Sequence, residues 1–177
     1  HPNVEGYFVL ADAFYETMRA EALIGSWTYP VPAERARTEI LFTAVDSLVG
    51  AYRVEQLMNS WPFQPYGTVG GMITVEPTNA VEAIAFDLYK TDIGWYEATD
   101  RLRVLYQQQG NFHEALRASL AVIQEYPFIA PPYLAAGQVL LAQGRLPEAL
   151  NYVEAGIERE VTADGLALKG VILLAQQ

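Results

Sequence analysis

The chain contains 177 residues and carries a formal net charge of −10, because 21 acidic side chains outnumber 11 basic ones. A hydrophobic fraction of 51% with 18% charged residues is typical of a globular protein and excludes a disordered or collagen-like chain. The lack of cysteine excludes disulfides, thiolate catalysis and Cys-ligated zinc. With only two histidines as well, we expect no metal site, and no sequence feature predicts a cofactor. The acidic balance argues against a nucleic-acid partner, and the apolar runs are too short for a membrane span.

Residues 1–24 predict one amphipathic helix of about five turns. Its apolar side chains recur three or four residues apart, at Phe8, Leu10, Ala11, Phe14, Met18 and Ala22. Asn3 is expected to cap the helix, and Glu5 is expected to face its electropositive end.

The sequence His1-Pro2-Asn3, followed by Gly6-Tyr7, resembles the last conserved block of the SGNH (GDSL-type) hydrolases. The resemblance implies that His1 is the general base of a Ser-His-Asp triad. The partner aspartate, the nucleophilic serine and the oxyanion-hole blocks of that family are not in this sequence, so the triad is incomplete. We therefore expect no ester hydrolysis by this chain alone. Because the first residue is His1 rather than methionine, we interpret the chain as the C-terminal part of a longer protein.

Residues 25–77 predict an irregular connector that is rich in proline and aromatic residues and contains short helices. One helix is expected to open at Pro32 or Ala33 and to run through Leu41. Thr43 is the expected N-cap of a second helix over residues 44–58. The apolar face of that helix consists of Val45, Leu48, Val49, Tyr52 and Leu57.

The second half of the chain repeats with a period of about 34 residues, because residues 109–116 align with residues 143–150. The aligned segments share Gln, Gly, Glu, Ala and Leu, which places glycine at a tight turn and alanine where two helices touch. Two copies occupy residues 96–129 and 130–163, and a partial third copy occupies residues 164–177. This pattern favours helical hairpins.

These residues resemble the tetratricopeptide repeat (TPR). The resemblance implies an all-α solenoid of stacked hairpins over residues 78–177, preceded by the helix and the connector. Two positions depart from the pattern, since Ser119 takes a slot that is usually aromatic and Val161 replaces the closing proline. Residues 77–88 resemble the second helix of a degenerate opening copy. A His-Pro-Asn block followed by a connector and TPRs also resembles a bacterial subgroup of SGNH hydrolases.

The TPR resemblance implies a non-catalytic module for protein interaction or scaffolding. The family analogy places seven residues on a concave groove formed by the first helices: Glu97, Arg101, Val104, Gln108, Leu134, Gln138 and Leu141. Because the groove is mixed in polarity and has no Lys/Arg clamp, we expect a neutral peptide, a neighbouring domain or a second copy of the chain as partner.

The helix at residues 164–177 raises a separate question about partners. Its apolar face is expected to lack a covering second helix within this sequence. That face consists of Leu166, Leu168, Val171, Ile172 and Leu174. We hypothesise that further sequence or another protein chain, including another copy of this one, packs there. Two alternative functions stay open, namely the tail of an SGNH-type esterase or acyl hydrolase with His1 as base, and a self-assembling repeat protein.

Overall fold

The computed structural model describes residues 4–23, 25, 29–68 and 70–177. These residues form nine α-helices and no strand, which confirms the predicted all-α class. The helices are α1 (Val4–Ala20), α2 (Ala33–Glu39), α3 (Ala44–Met58), α4 (Ala80–Tyr89), α5 (Trp95–Gln108), α6 (Phe112–Glu125), α7 (Pro131–Ala142), α8 (Leu146–Arg159) and α9 (Ala163–Ala175). The chain divides into two compact units, His1–Ile40 and Leu41–Gln177.

The first unit joins α1 to α2 and the residues before it through polar contacts. Glu5 lies in the first turn of α1, where the helix end is electropositive, and its carboxylate pairs with Arg37 of α2 at 2.6 Å. The Arg37 guanidinium also lies 4.7 Å from the centroid of the Phe8 ring. The Tyr15 hydroxyl accepts a hydrogen bond from the backbone N–H of Val31 at 2.7 Å. These contacts hold the last turn of α2 and the residues just before α2 against α1.

Helix α3 begins and ends at the predicted residues. A capping box at its N-terminus fixes where it begins. The Thr43 hydroxyl accepts a hydrogen bond from the Asp46 backbone N–H at 3.3 Å, and the Asp46 carboxylate accepts one from the Thr43 backbone N–H at 2.8 Å. The same carboxylate accepts the indole N–H of Trp95 at 2.7 Å. Asp46 therefore fixes the start of α3 and also ties that helix to α5.

Helix α3 packs against α4 and so belongs with the hairpins that follow, although the sequence places it in the connector. Their shared core also reaches α5 and consists of Val45, Val49, Tyr52, Ile73, Ala85, Tyr89, Ala98 and Leu102. The Tyr89 hydroxyl accepts the Ile73 backbone N–H at 3.1 Å, which anchors part of the segment between α3 and α4. Leu57 is exposed, because the ten residues of α4 do not cover all fifteen of α3.

Two hairpins, α5–α6 and α7–α8, follow each other one repeat period apart along the chain. Their second helices begin at Phe112 and Leu146 and have the same length of 14 residues. The turn glycines, Gly110 and Gly144, both have a φ of +72°, a left-handed conformation that glycine adopts without a Cβ clash. From α5 to α9 each helix packs against the next one in the chain, which brings the two hairpins together side by side.

Helix α9 packs against α8 and α7 with one side only. Ile172 is fully buried and Leu168 packs against the same core. The prediction that these two residues belong to an uncovered face is therefore wrong. Leu166, Val171 and Leu174 of that face are exposed. The division follows from helix geometry, since residues 168 and 172 lie four apart on the side that meets the preceding hairpin.

Candidate interaction surface

The α5 part of the predicted groove is exposed and carries its own ion pairs. Arg101 donates to Glu97 at 2.6 Å and lies 3.6 Å from the Asp87 carboxylate of α4. Val104 and Gln108 are also exposed on this helix. The α5 part of the groove therefore presents the apolar side chain of Val104 and the amide of Gln108. The charge of Arg101 beside them is already neutralised by its carboxylate partners.

The α7 part of the groove is less accessible. Leu134 is half-buried, and its Cδ2 atom lies 2.9 Å from the place where a Cβ on Gly156 would sit and 3.5 Å from the corresponding place on Gly165. Leu141 is half-buried against the core of the second hairpin, whereas Gln138 is exposed. Gln138 is thus the α7 residue of the predicted set that a ligand reaches most easily.

A small surface cleft lies where α5, α6 and α7 meet. It is lined by Tyr96, Thr99, Asp100, Arg103, Ala118, Ser119, Val122, Pro132 and Ala135. None of these residues is among the seven predicted groove residues. The sequence does hold a signal for the cleft, because Ser119 is small where the repeat pattern has an aromatic side chain.

The cleft arises from an exchange of side-chain size between the hairpins. Arg103 and Ser119 line it in the first hairpin, and the residues one repeat period later are Gly137 and Val153. In the second hairpin a Cβ on Gly137 would overlap the Cγ2 atom of Val153 and lie 3.3 Å from the Ala149 carbonyl oxygen. The large residue is therefore on the first helix in one hairpin and on the second helix in the other.

Arg103 is well buried for a charged residue, since its side chain is only 12% exposed. Its guanidinium donates to Asp100 at 2.7 Å and also to the Gln107 side chain. Burial and the Asp100 charge raise the pKa of Tyr96, which therefore stays a neutral phenol at the edge of the cleft. The Arg103 donors are thus engaged within α5, and a ligand would have to compete for them.

In the described part of the chain, histidine and carboxylate side chains do not come together in a catalytic or metal-binding site. His1 and the predicted cap Asn3 lie outside the described residues, so the role of His1 as a general base stays a prediction. His113 is exposed, with its Nδ1 atom 3.0 Å from the Glu114 carboxylate. Among the described residues, no group of three or more His, Asp or Glu side chains is placed to hold a metal ion.

Apolar side chains are also exposed elsewhere in the second unit, including two clusters. One is the segment between α3 and α4, with Trp61, Phe63 and Tyr66, and the other is α9, with Val171 and Leu174. In the described residues, no helix has the length and apolar character that crossing a bilayer requires. No known protein family, curated protein or solved structure matches this chain.

Proposed function

We infer that the second unit, Leu41–Gln177, is a protein-interaction module of the tetratricopeptide type that binds a peptide segment of a partner and has no catalytic activity of its own. The observation that supports this function is the pair of hairpins with equal second-helix lengths and equal turn geometry, one repeat period apart. Repeats of this kind place their first helices side by side and so create one continuous binding surface. In this chain α5 and α7 are those first helices.

The charges on α5 favour a neutral ligand segment. Arg101 pairs with Glu97, and Arg103 pairs with Asp100, so both guanidinium groups of α5 already have carboxylate partners. An acidic peptide would have to displace these carboxylates and approach a chain of net charge −10. The accessible groups are the apolar Val104 and the amides of Gln108 and Gln138, which suit a peptide with small apolar and polar side chains.

The proposal is tested by selecting peptides from a random-peptide display library on the purified chain and measuring their affinity by calorimetry. The informative variants are Val104→Glu and Gln138→Arg, because both side chains are exposed and their replacement leaves the core intact. Leu134→Arg is less informative, because Leu134 packs close to Gly156. Each groove variant should weaken binding of the selected peptides by about tenfold or more.

The matched control is Asn151→Arg, which places the same charge on the exposed side of the second helix α8. Its affinity for the selected peptides should equal that of the parent chain. If the library yields no binder, or if Asn151→Arg weakens binding as much as Gln138→Arg does, the groove is not the binding surface.

A further inference from the structure

The sequence of α9 follows that of α7 with a separation of 33 residues. Residues 137–143 and 170–176 are identical at five of seven positions, and the buried Val139 corresponds to the buried Ile172. This separation is one residue less than the 34 between the two hairpins, and the connection from α8 to α9 is also shorter than the one from α6 to α7. The register identifies α9 as the counterpart of α5 and α7, the helices that carry the predicted groove.

The groove residues of α7 correspond to α9 residues that expose more apolar surface. The three pairs are Leu134 with Ala167, Gln138 with Val171, and Leu141 with Leu174. Of the three on α7 only Gln138 is exposed, whereas all three on α9 are exposed. Val171 is 51% exposed and Leu174 is 70% exposed. We define Ala167, Val171 and Leu174 as the α9 strip.

Helix α9 lies beside α7, as a continuous groove requires. A Cβ on Gly165 of α9 would lie 3.5 Å from the Cδ2 atom of Leu134 on α7. Val171 lies about 100° around its helix from the buried Ile172, which is the same angle that separates the corresponding two residues of α7. The α9 strip therefore occupies the same side of its helix as the groove residues occupy on α7.

The charge of the groove decreases from α5 to α9. On α5 the groove contains the ion pair of Glu97 with Arg101 at 2.6 Å, whereas the α9 strip has no charged residue. The charged residues of α9 are Asp164, which lies about 10 Å along the helix from Val171, and Lys169, which pairs with a carboxylate of α8. An apolar ligand side chain is favoured at this end, because its contact with the α9 strip removes apolar surface of both partners from water.

We propose that the groove continues onto the α9 strip and that the ligand is a peptide segment whose end over α9 carries a leucine, isoleucine, methionine or phenylalanine. This inference rests on the proposed peptide-binding function and adds the chemistry of one end of the ligand. The large apolar residue is the anchor of the segment, because its burial stabilises the complex more than water-exposed amide contacts over α5 and α7 do. The rest of the segment is uncharged, with small or polar side chains.

A peptide segment suits the α9 strip better than a second copy of the chain does. The 13 residues of α9 span about 20 Å, so a strip one helix wide covers roughly 200 Å², well below the ~800 Å² per partner of a stable dimer. Two copies would also bring together net charges of −10 each. A peptide that continues over α7 and α5 gains the contact area that α9 alone lacks.

The experiment selects peptides from a random-peptide display library on the full chain and, in parallel, on the variant Val171→Gln, which gives α9 the residue that α7 has at the equivalent position. Peptides selected on the parent chain should share a large apolar residue at one end, whereas those selected on the variant should not. A parent-selected peptide should bind Val171→Gln about tenfold more weakly in calorimetry. Replacing its apolar residue with glutamine should weaken binding to the parent chain by a similar factor and binding to Val171→Gln by far less.

The matched control is Leu166→Gln, a comparable loss of apolar character on the same helix, since Leu166 is 52% exposed and Val171 is 51% exposed. Leu166 lies five residues from Val171, about 140° around the helix, and so lies outside the α9 strip. The affinity of Leu166→Gln for the selected peptides should equal that of the parent chain. An equal loss in Leu166→Gln and Val171→Gln would overturn the inference.

The variant Gln138→Arg separates this inference from the proposed function. Binding that Gln138→Arg weakens but Val171→Gln leaves unchanged would overturn the continuation onto α9 and retain the groove of α5 and α7. Binding that only Val171→Gln weakens would overturn the groove of α5 and α7 and the continuity with it. No selected binder, or binding that neither variant weakens, would overturn both proposals. A dimer in sedimentation velocity that Val171→Gln dissociates would identify a second copy as the occupant of the α9 strip instead.

Discussion

The two hairpins of the second unit have matching turns and second helices but distribute side-chain volume in opposite ways. In the first hairpin Arg103 and Ser119 line one cleft, and in the second Gly137 lies close to Val153. The first pair leaves a cleft at the surface, whereas the second pair is closely packed. The repeat pattern therefore specifies the backbone and leaves the size of the individual side chains free.

A second exchange occurs one turn earlier on the first helices. Thr99 and Leu102 of α5 correspond to Tyr133 and Ala136 of α7, and all four are buried. The larger residue therefore comes first in α7 and second in α5. A single substitution that gives one hairpin the residue of the other should lower the free energy of unfolding. Substituting both members of a pair together should lower it less.

The largest effect is expected for Leu102→Ala, which gives α5 the residue that α7 has at the equivalent position. Leu102 is fully buried in the core that α5 shares with α3 and α4, so its truncation leaves a cavity there. We expect the free energy of unfolding to fall by about 3 kcal/mol. Urea denaturation measures this loss, with Val104→Ala on the exposed side of α5 as the control. A loss below about 1 kcal/mol would mean that the hairpins repack freely.

The next effect is expected for Gly137→Ala, because the added Cβ would overlap Val153. We expect a loss of about 2 kcal/mol, despite the better helix propensity of alanine. The matched control is Gly170→Ala, whose Cβ meets no neighbour within 4 Å and which should gain about 0.5–1 kcal/mol in chemical denaturation. Adding Val153→Ala to Gly137→Ala should return part of the loss. Similar values for the two alanine variants would contradict the tight contact.

Local signals in the sequence were sufficient to predict most helices. The start of α3 is correct because Thr43 and Asp46 form a capping box within four residues. Asn79 caps α4 by accepting the Glu82 backbone N–H, without the reciprocal bond of a capping box. The repeat period likewise located the α5–α6 and α7–α8 turns, because glycine is needed at Gly110 and Gly144.

Features that depend on distant residues were not predictable from local pattern. The packing of α3 on α4 joins residues separated by a long segment, and the bond between Asp46 and Trp95 spans 49 residues. The burial of Ile172 and the half-burial of Leu134 depend on how α9 lies against the second hairpin. The small Ser119 signals space at the cleft, but the lining comes from α5, α6 and α7 together and so depends on how the helices pack.

Exchange of the contact pair should show coupling of about 1 kcal/mol between Arg103→Gly and Ser119→Val. Arg103→Gly alone removes the ion pair with Asp100 and leaves space, and Ser119→Val alone adds side-chain volume to the cleft that Arg103 also lines. Together they reproduce the pairing of Gly137 with Val153, so the double variant should be more stable than the sum of the two losses predicts. A double-mutant cycle from urea denaturation measures the coupling. Simple additivity would show that the two residues pack independently.

The hairpins also differ at the start of their second helices, where a smaller effect is expected. Asn111 caps α6 by accepting the Glu114 backbone N–H at 3.4 Å, whereas Arg145 at the equivalent position of α8 makes no side-chain cap. Asn111→Ala should lower the free energy of unfolding by about 0.5–1 kcal/mol, and Arg145→Asn should raise it by a similar or smaller amount. Thermal unfolding measures both changes in stability. Changes of the same sign in the two variants would contradict the difference in capping.

Arg145→Asn should also change the titration of Glu148. A hydrogen bond from Arg145 lowers the pKa of Glu148, so their pair stabilises the fold above the ordinary carboxyl pKa and is lost as the pH falls through the lowered pKa. In Arg145→Asn the pKa of Glu148 should rise, while the pKa of Glu82, lowered by hydrogen bonds from Thr78, should not move in the same NMR titration. Because an asparagine cap does not titrate, the gain from Arg145→Asn should be larger below the pKa of Glu148 than at neutral pH, where the parent chain retains its ion pair. A gain that is independent of pH would show that the Arg145 pair contributes nothing to the second hairpin.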